Sequence, residues 1–402
     1  MWNLVSSIAF SVQSALFLWV ATYVAGAVDA GLFIFLFSVA QTLNAVGNYN
    51  ARDFQVSDVL EEYSFPTYYT TRWITCAVML LGAVAYSLIK GLNATGCSVF
   101  LCLIGYRFIE CVEDVYHGHV QRKGRFDVTS ICMSIRIIIS SLAFCIGYFL
   151  FANQVIATAL LVVVSLAVYL VLIRIVKKEF CDLKPALEFK SVLKLLKDCF
   201  PVFIGAFLYT YLINAPKYAI NDYLTQEIQT TYNILFMPVF VIVILSMFIY
   251  KPQLVRMSVL WNDRETGVFL RQMIIQVAIV VLFTIAVVVG GEIIGLRLLE
   301  LIYGVPLMQY RSLFALLLGF GGMMAAAYYF SALITIVRKQ HFILIGYLAA
   351  LAVSLLFTGR LVSRFQIRGA CFAYGLTAAF LMCFFLAVIV IAYVKAKREK
   401  RS

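Results

Sequence analysis

Charge is what this sequence has least of. Only 13% of its 402 residues are Asp, Glu, Lys or Arg, about half the share usual in a soluble globular protein, while 63% are hydrophobic and the mean hydropathy is +0.95. That balance excludes a soluble globule and predicts a polytopic membrane protein. Proline is scarce, with 7 residues, and no Pro-rich or Gly/Ser-rich run marks a linker. Histidine is limited to His117, His119 and His341. The 10 cysteines form no CxxC pair and lie mostly in apolar runs, so they read as small buried apolar residues rather than redox or metal ligands. The opening MWNLVSSIAF lacks the basic stretch and small-residue cleavage site of a secretory signal, so its hydrophobic run is expected to stay as a span. Asn93-Ala94-Thr95 fits a glycosylation sequon, but between two apolar runs it carries little weight.

What the chain does have is long apolar runs. A spanning helix needs roughly 20 mostly apolar residues. Twelve runs qualify, at residues 5 to 26, 31 to 48, 73 to 91, 97 to 115, 129 to 151, 154 to 175, 198 to 216, 231 to 250, 269 to 291, 312 to 335, 341 to 358 and 369 to 394. Residues 290 to 312 are either an amphipathic connector or an extension of the ninth helix. With the amino terminus cytoplasmic, 23 Lys and Arg fall in cytoplasmic segments against 7 in outer loops, which supports both that orientation and an even number of spans. The same asymmetry accounts for most of the +12 net charge without a nucleic acid partner. The basic tail KAKREKRS and the segment around KKEFCDLKPALEFKSVLKLLK are positive-inside signals that also suit anionic lipid.

The longest internal hydrophilic stretch follows the sixth run. It divides the chain into an N-terminal lobe, residues 1–190 with helices 1–6, and a C-terminal lobe, residues 191–402 with helices 7–12 and the basic tail. Each half opens with two helices and a polar cytoplasmic segment, DFQVSDVLEEYS in the first and KPQLVRMSVLWNDRET in the second. This is the pattern of a duplicated bundle enclosing a substrate path.

Polarity enters the membrane in a few places. In QTLNAVGNYNARDFQ, the residues Gln41, Asn44, Asn48, Arg52 and Gln55 recur at steps of three and four. That spacing predicts one stripe along a single helix, and such a stripe in hydrocarbon needs a wet or proteinaceous partner. In YRFIECVEDVYHGHVQ, the charged residues Arg107, Glu110, Glu113 and Asp114 occupy neighbouring turns with His117 and Gln121. They are either a neutralised cluster of internal ion pairs, Arg107 being in reach of Glu110 and Asp114, or carboxylates for ion coupling. Arg136, set among serines, either snorkels to the surface or lines a polar lumen. In LYTYLINAPKYAINDYL, Thr210, Asn214, Lys217 and Asn221 share a stripe beside Tyr211 and Tyr218. Pro216 is expected to kink or end that helix, leaving Lys217 as a fixed cation at the outer mouth of a cavity or snorkelling at the interface. Arg360, Arg364 and Arg368, at steps of four, form either a cationic rim or a surface patch.

Three segments carry a resemblance: the opening NLVSSIAFSVQSALFLWVATYVAGAVDAGLFIFLFSVAQTLNAVGNYNARDFQVSD, the segment YRFIECVEDVYHGHVQRKGRFD, and LINAPKYAINDYLTQEIQTTYNILFMPVFVI with its NAPKYAI and downstream FMP. Together they resemble bacterial lipid-linked oligosaccharide flippases, the Wzx-type polysaccharide transporters of the multidrug/oligosaccharidyl-lipid/polysaccharide (MOP) exporter superfamily. The chain departs from many members in starting almost at its first helix. The resemblance implies two six-helix lobes around a cationic central cavity, alternating access, and a location in the bacterial cytoplasmic membrane. It implies that the chain moves undecaprenyl-pyrophosphate-linked sugars for surface polysaccharide such as lipopolysaccharide O-antigen. Other polysaccharide assembly proteins would be its partners, with no cofactor or metal and no catalytic residue. The pyrophosphate role falls to Lys217, Arg136 and Arg52, and the lumen amides to Gln41, Asn44, Asn48 and Asn214. A drug/cation antiporter of the same superfamily would use the carboxylates Glu110, Glu113 and Asp114 instead. An oligosaccharide polymerase, an enzyme with catalytic Arg or His on a long outer loop, fits poorly with the short outer segments.

Overall fold

The computed structural model describes residues 2–58, 62–180 and 189–399. The middle of the DFQVSDVLEEYS segment, part of the basic stretch after the sixth run with Cys181 and Lys184, and the end of the tail lie outside the described residues. Among the described residues every regular element is helical.

The helices are α1 (Trp2–Asn48), α2 (Ala51–Ser57), α3 (Phe65–Lys90), α4 (Ala94–Arg122), α5 (Phe126–Phe151), α6 (Gln154–Phe180), α7 (Phe189–Tyr223), α8 (Gln226–Tyr250), α9 (Leu254–Asn262), α10 (Thr266–Gly290), α11 (Leu296–Tyr303), α12 (Arg311–Ile336) and α13 (His341–Glu399). Their starts follow local chemistry. The Asn93 side chain accepts from the Gly96 amide at 2.7 Å and caps α4, so the sequon asparagine has a structural use. Ser64 precedes Phe65-Pro66, with proline in the first turn of α3, where its missing N–H costs nothing. A π-turn at Gly291–Gly295 carries α10 on into α11, so residues 290 to 303 extend the ninth run rather than forming a separate connector.

Nine helices among the described residues are long and apolar enough to cross a membrane, against the twelve spans expected. Two of the nine reverse direction. In α1, Gly26 has φ 82° and ψ 175°, and the Phe17 ring lies 6.3 Å from Phe33 and 5.9 Å from Phe37. A straight helix would hold Phe17 and Phe33 about 24 Å apart, so the chain folds back at Gly26, the last residue of the first expected span. In α13 the break is Gln366, φ 53° and ψ −134°, and Tyr347 meets Phe385 at 5.7 Å. The expected span at 198 to 216 lies within α7, which is not among the nine.

The chain forms two compact units, Met1–Thr210 and Tyr211–Ser402. The division falls inside α7, later than the hydrophilic stretch near residue 190 suggested, because the start of α7 packs into the first unit: Leu195 and Cys199 are buried with Tyr63, Phe65, Tyr68 and Tyr116. The first unit has its aromatic core at Phe17, Phe33, Phe37, Phe144 and Tyr148; between spanning helices such rings hold by close packing and ring-edge contacts, since lipid is as apolar as the interior. The second is built on Tyr232, Phe236 and Tyr374, and on Tyr250 against Tyr329. Leu81, Leu88, Ile89 and Leu301 are at least 70% exposed, the surface a helical membrane protein turns to lipid.

Candidate functional site

The polar stripe that spacing places on one helix is divided. Gln41, Asn44 and Asn48 lie on α1; Tyr49 and Asn50 then take left-handed φ values of 49° and 50°, and Arg52 and Gln55 follow on α2. Asn tolerates that conformation better than most residues, and Tyr49 holds it at a cost. The corner is held from outside. Arg72 of α3 donates through Nη1 to the carbonyls of Gly47 at 2.9 Å and Asn48 at 2.6 Å and to Asn48 Oδ1 at 3.3 Å, and the Thr75 hydroxyl donates to Gly47 O at 2.7 Å. These are the carbonyls a helix end leaves without intrahelical donors. Close packing at the corner uses glycine: a methyl added at Gly47 would meet Cys111 Sγ at 2.7 Å.

Asp114 of α4 joins the corner to α2. Its Oδ2 accepts from Arg72 Nη2 and its Oδ1 from Arg52 Nη1, both at 2.9 Å. Arg52 also donates to Gln121 Oε1 from Nη2 at 2.9 Å and Nε at 3.3 Å. Arg72 is almost wholly enclosed, its side chain 1% exposed, whereas that of Arg52 is 21% exposed. Asn44 is buried and accepts from the Cys111 thiol at 3.0 Å, and Gln41 is half-buried.

Deeper in the first unit, Arg136 neither snorkels nor reaches a lumen. It is buried, with Nε donating to Glu113 Oε2 and Nη1 to Ser165 Oγ at 3.3 Å, and its guanidinium lies 5.3 Å from the centre of the Tyr106 ring. His117 Nε2 stands 3.6 Å from Glu113 Oε1. The Gln13 amide donates to Tyr106 Oη at 2.7 Å and to Ser141 Oγ at 3.1 Å. Arg107 pairs with Glu110 at 2.6 Å and faces the Phe37 ring. Of the two partners spacing offered Arg107, only Glu110 is used, because Asp114 points to Arg52 and Arg72. All three carboxylates are thus engaged by four arginines, which is the neutralised-cluster alternative with one cation in excess.

Sequence reasoning missed Arg72, Gln13 and Tyr106. Arg72 directly precedes the apolar run that begins at Trp73, so run length alone leaves it outside the span; the signal that finds it is Ser64 with Pro66, which starts α3 at Phe65 and draws Arg72 two turns inside. Gln13 is one amide in an apolar run, and nothing local marks its partner 93 residues away.

In the second unit, α7 does not end at Pro216. It continues to Tyr223; proline's φ suits a helix, and the loss is one donor rather than the element. Asn214 and Lys217 are both buried. The Lys217 ammonium lies 5.4 Å from the Phe236 ring centre and 5.7 Å from that of Phe240, a cation–π setting, so it does not snorkel. No Asp or Glu among the described residues of this unit is buried. On α8, Gln229 and Tyr232 are fully enclosed, and the Gln229 amide and Tyr232 hydroxyl lack hydrogen-bond partners. The arginines at steps of four do not share a face: Arg360 and Arg364 precede the reversal at Gln366 and Arg368 follows it, all exposed.

Among the described residues no group of three His, Cys, Asp or Glu side chains could hold a metal ion. No protein-family model matches the chain, and no curated protein sequence matches it. Solved structures do. The whole chain aligns with an inward-facing multidrug resistance MATE family transporter of the MOP superfamily, TM-score 0.69 with 14% identity over 99% of that chain. It aligns with MATE in complex with MaD3S at 0.63 and 15% over 96%. A third match is a MOP superfamily transporter from Pyrococcus furiosus, at 0.59 and 14% over 95%, described as having a binding pocket of reverse polarity that suggests a different function. The chain shares the fold of these transporters. At these identities the likeness speaks for the fold alone.

Proposed function

We propose that this chain is a MOP-type transporter of a lipid-linked oligosaccharide whose headgroup carries phosphate, in the manner of undecaprenyl-pyrophosphate sugars, acting by alternating access in a bacterial cytoplasmic membrane with both termini inside. The observation that carries this reading is the state of the membrane carboxylates. A transporter of organic cations needs carboxylates able to receive a positive charge, and here Glu110, Glu113 and Asp114 are each taken by arginine. The charge left over in this cluster is cationic, since four arginines meet three carboxylates and Arg52, its side chain 21% exposed, is the most open of them. Cations in low dielectric attract phosphate strongly and repel cationic drugs. Amides such as Gln41, Asn48 and Asn214 suit sugar hydroxyls. The P. furiosus transporter, whose pocket of reverse polarity is described as suggesting a different function, shows that pocket polarity differs within this fold.

The second reading, a drug/cation antiporter, is favoured by the multidrug MATE neighbours themselves. The two readings part in cells. With Arg52→Ala or Lys217→Ala in a strain that depends on this chain for surface glycan, we expect glycan export to fall at normal protein levels, and overproduction of the wild type to leave susceptibility to cationic dyes unchanged. Normal export in both variants, or dye resistance that requires Glu113 or Asp114, would favour the antiporter.

A further inference from the structure

The carboxylate of Asp114 is divided between two guanidiniums in very different surroundings. Arg72, on Oδ2, is enclosed and fastened by three further hydrogen bonds to the carbonyls of Gly47 and Asn48 and to the Asn48 side chain; it cannot leave without undoing the α1–α2 corner. Arg52, on Oδ1, is one-fifth exposed, and its other oxygen partner, Gln121, is a neutral amide whose acceptor serves Arg52 whatever anion lies opposite. One half of the shared ion pair is therefore structural and the other is exchangeable.

We propose that Asp114 is an intramolecular stand-in for the cargo's phosphate: an anionic headgroup entering from water replaces Asp114 Oδ1 on Arg52, while Oδ2 keeps Arg72 neutralised. This rests on the reading of the cargo as phosphate-bearing, and it adds the residue that sets affinity at that end of the path. A guanidinium presents two parallel N–H donors that match phosphate oxygens; Asp114 engages only Nη1 of Arg52, so phosphate gains the geometry Asp114 does not supply. The competition has a use in a transporter. An arginine open to water with no internal anion would hold pyrophosphate tightly and release it slowly, whereas a tethered carboxylate at high effective concentration lowers affinity and returns to Arg52 as the cargo departs. Gly118 leaves room for the Gln55 side chain between α2 and α4, next to Arg52, whose Cγ an added methyl would meet at 3.4 Å.

The test is binding of inorganic pyrophosphate to the purified full-length protein by calorimetry. Asp114→Asn is expected to tighten binding about tenfold, Arg52→Gln to abolish it, and Arg52→Gln with Asp114→Asn to remain without it. Because Asp114→Asn leaves Arg72 enclosed with its charge unbalanced, Asp114→Glu, which keeps a carboxylate for both guanidiniums, is measured alongside and is expected to bind no tighter than wild type; a gain equal to that of Asp114→Asn would overturn the exchange. Folded Asp114→Asn protein that binds pyrophosphate no tighter than wild type, or a gain that persists without Arg52, would overturn the exchange. Glycan export that proceeds normally in cells lacking the chain would instead overturn the cargo and leave Arg52-dependent, Asp114-limited phosphate binding standing.

Discussion

Arg136 of α5 and Glu113 of α4 form an ion pair enclosed on all sides within the first unit, their side chains 1% and 4% exposed. The pair joins two helices at a depth where neither charge has access to water, and it shows which consequences of charge in this molecule are structural.

Removing one partner should cost more than removing both. Glu113→Gln leaves a buried guanidinium uncompensated, and we expect a loss of about 3–5 kcal/mol, read as a large fall in the midpoint of thermal unfolding in detergent. Glu113→Leu with Arg136→Met, which removes both charges while keeping volume, should recover most of that loss. A double variant no more stable than Glu113→Gln would mean that the pair does more than neutralise itself.

The α2–α3 loop depends on the ionised form of Asp58. Burial favours its neutral form, but the Tyr63 and Glu62 amides, the Tyr68 hydroxyl and the charge of Arg122 outweigh this and hold the carboxyl below the usual carboxylate range. A folded pKa below the unfolded one gives stability that is complete above the unfolded value, about 4, and is lost as pH falls through the folded value. Hydrogen exchange at the Glu62 and Tyr63 amides should therefore accelerate as pH drops below about 4, beyond the intrinsic pH dependence of exchange. Asp58→Asn should lose the protection at neutral pH as well.

Two contacts tie that loop to the start of α7, and they should differ in worth. The Tyr63 hydroxyl donates to Asp198 Oδ2 at 2.5 Å from a buried ring, whereas Lys194 meets Glu62 at 2.6 Å with both side chains more than half exposed. Tyr63→Phe is expected to cost about 1–2 kcal/mol. Lys194→Ala should leave the unfolding midpoint unchanged within error, as exposed ion pairs usually do.

Two glycines at close approaches should also behave differently. At Gly118 an added methyl meets the far end of the Gln55 side chain, which can turn aside; at Gly369 it meets the backbone carbonyl of Leu361, on the other arm of the α13 reversal, which cannot. Gly369→Ala should lower the yield of folded protein severely and Gly118→Ala only slightly, as measured by monodisperse protein recovered per cell mass.

Membrane class, helical content and the positions of most spans were legible in composition and run length, because the bilayer imposes one length and one polarity on every spanning helix. The reversals at Gly26 and Gln366 fall at the end of an expected span and between two others for that reason. Charge pairing was legible only within a helix: three-residue spacing located Arg107 with Glu110, since neighbours on one helix face are set by its geometry. The partners of Asp114, Arg136 and Gln13 come from other helices, and no periodicity along one segment encodes which faces meet. The corner at Tyr49–Asn50 shows the same limit. By itself the sequence determined an apolar, multi-helix chain carrying a few misplaced charges at helical spacing. Tertiary structure alone decided that Arg72 clasps a helix end, that Glu113 is claimed by Arg136, and that Arg52 stays partly exposed, because a buried charge is placed by whatever neighbouring helices bring within about 3 Å of it.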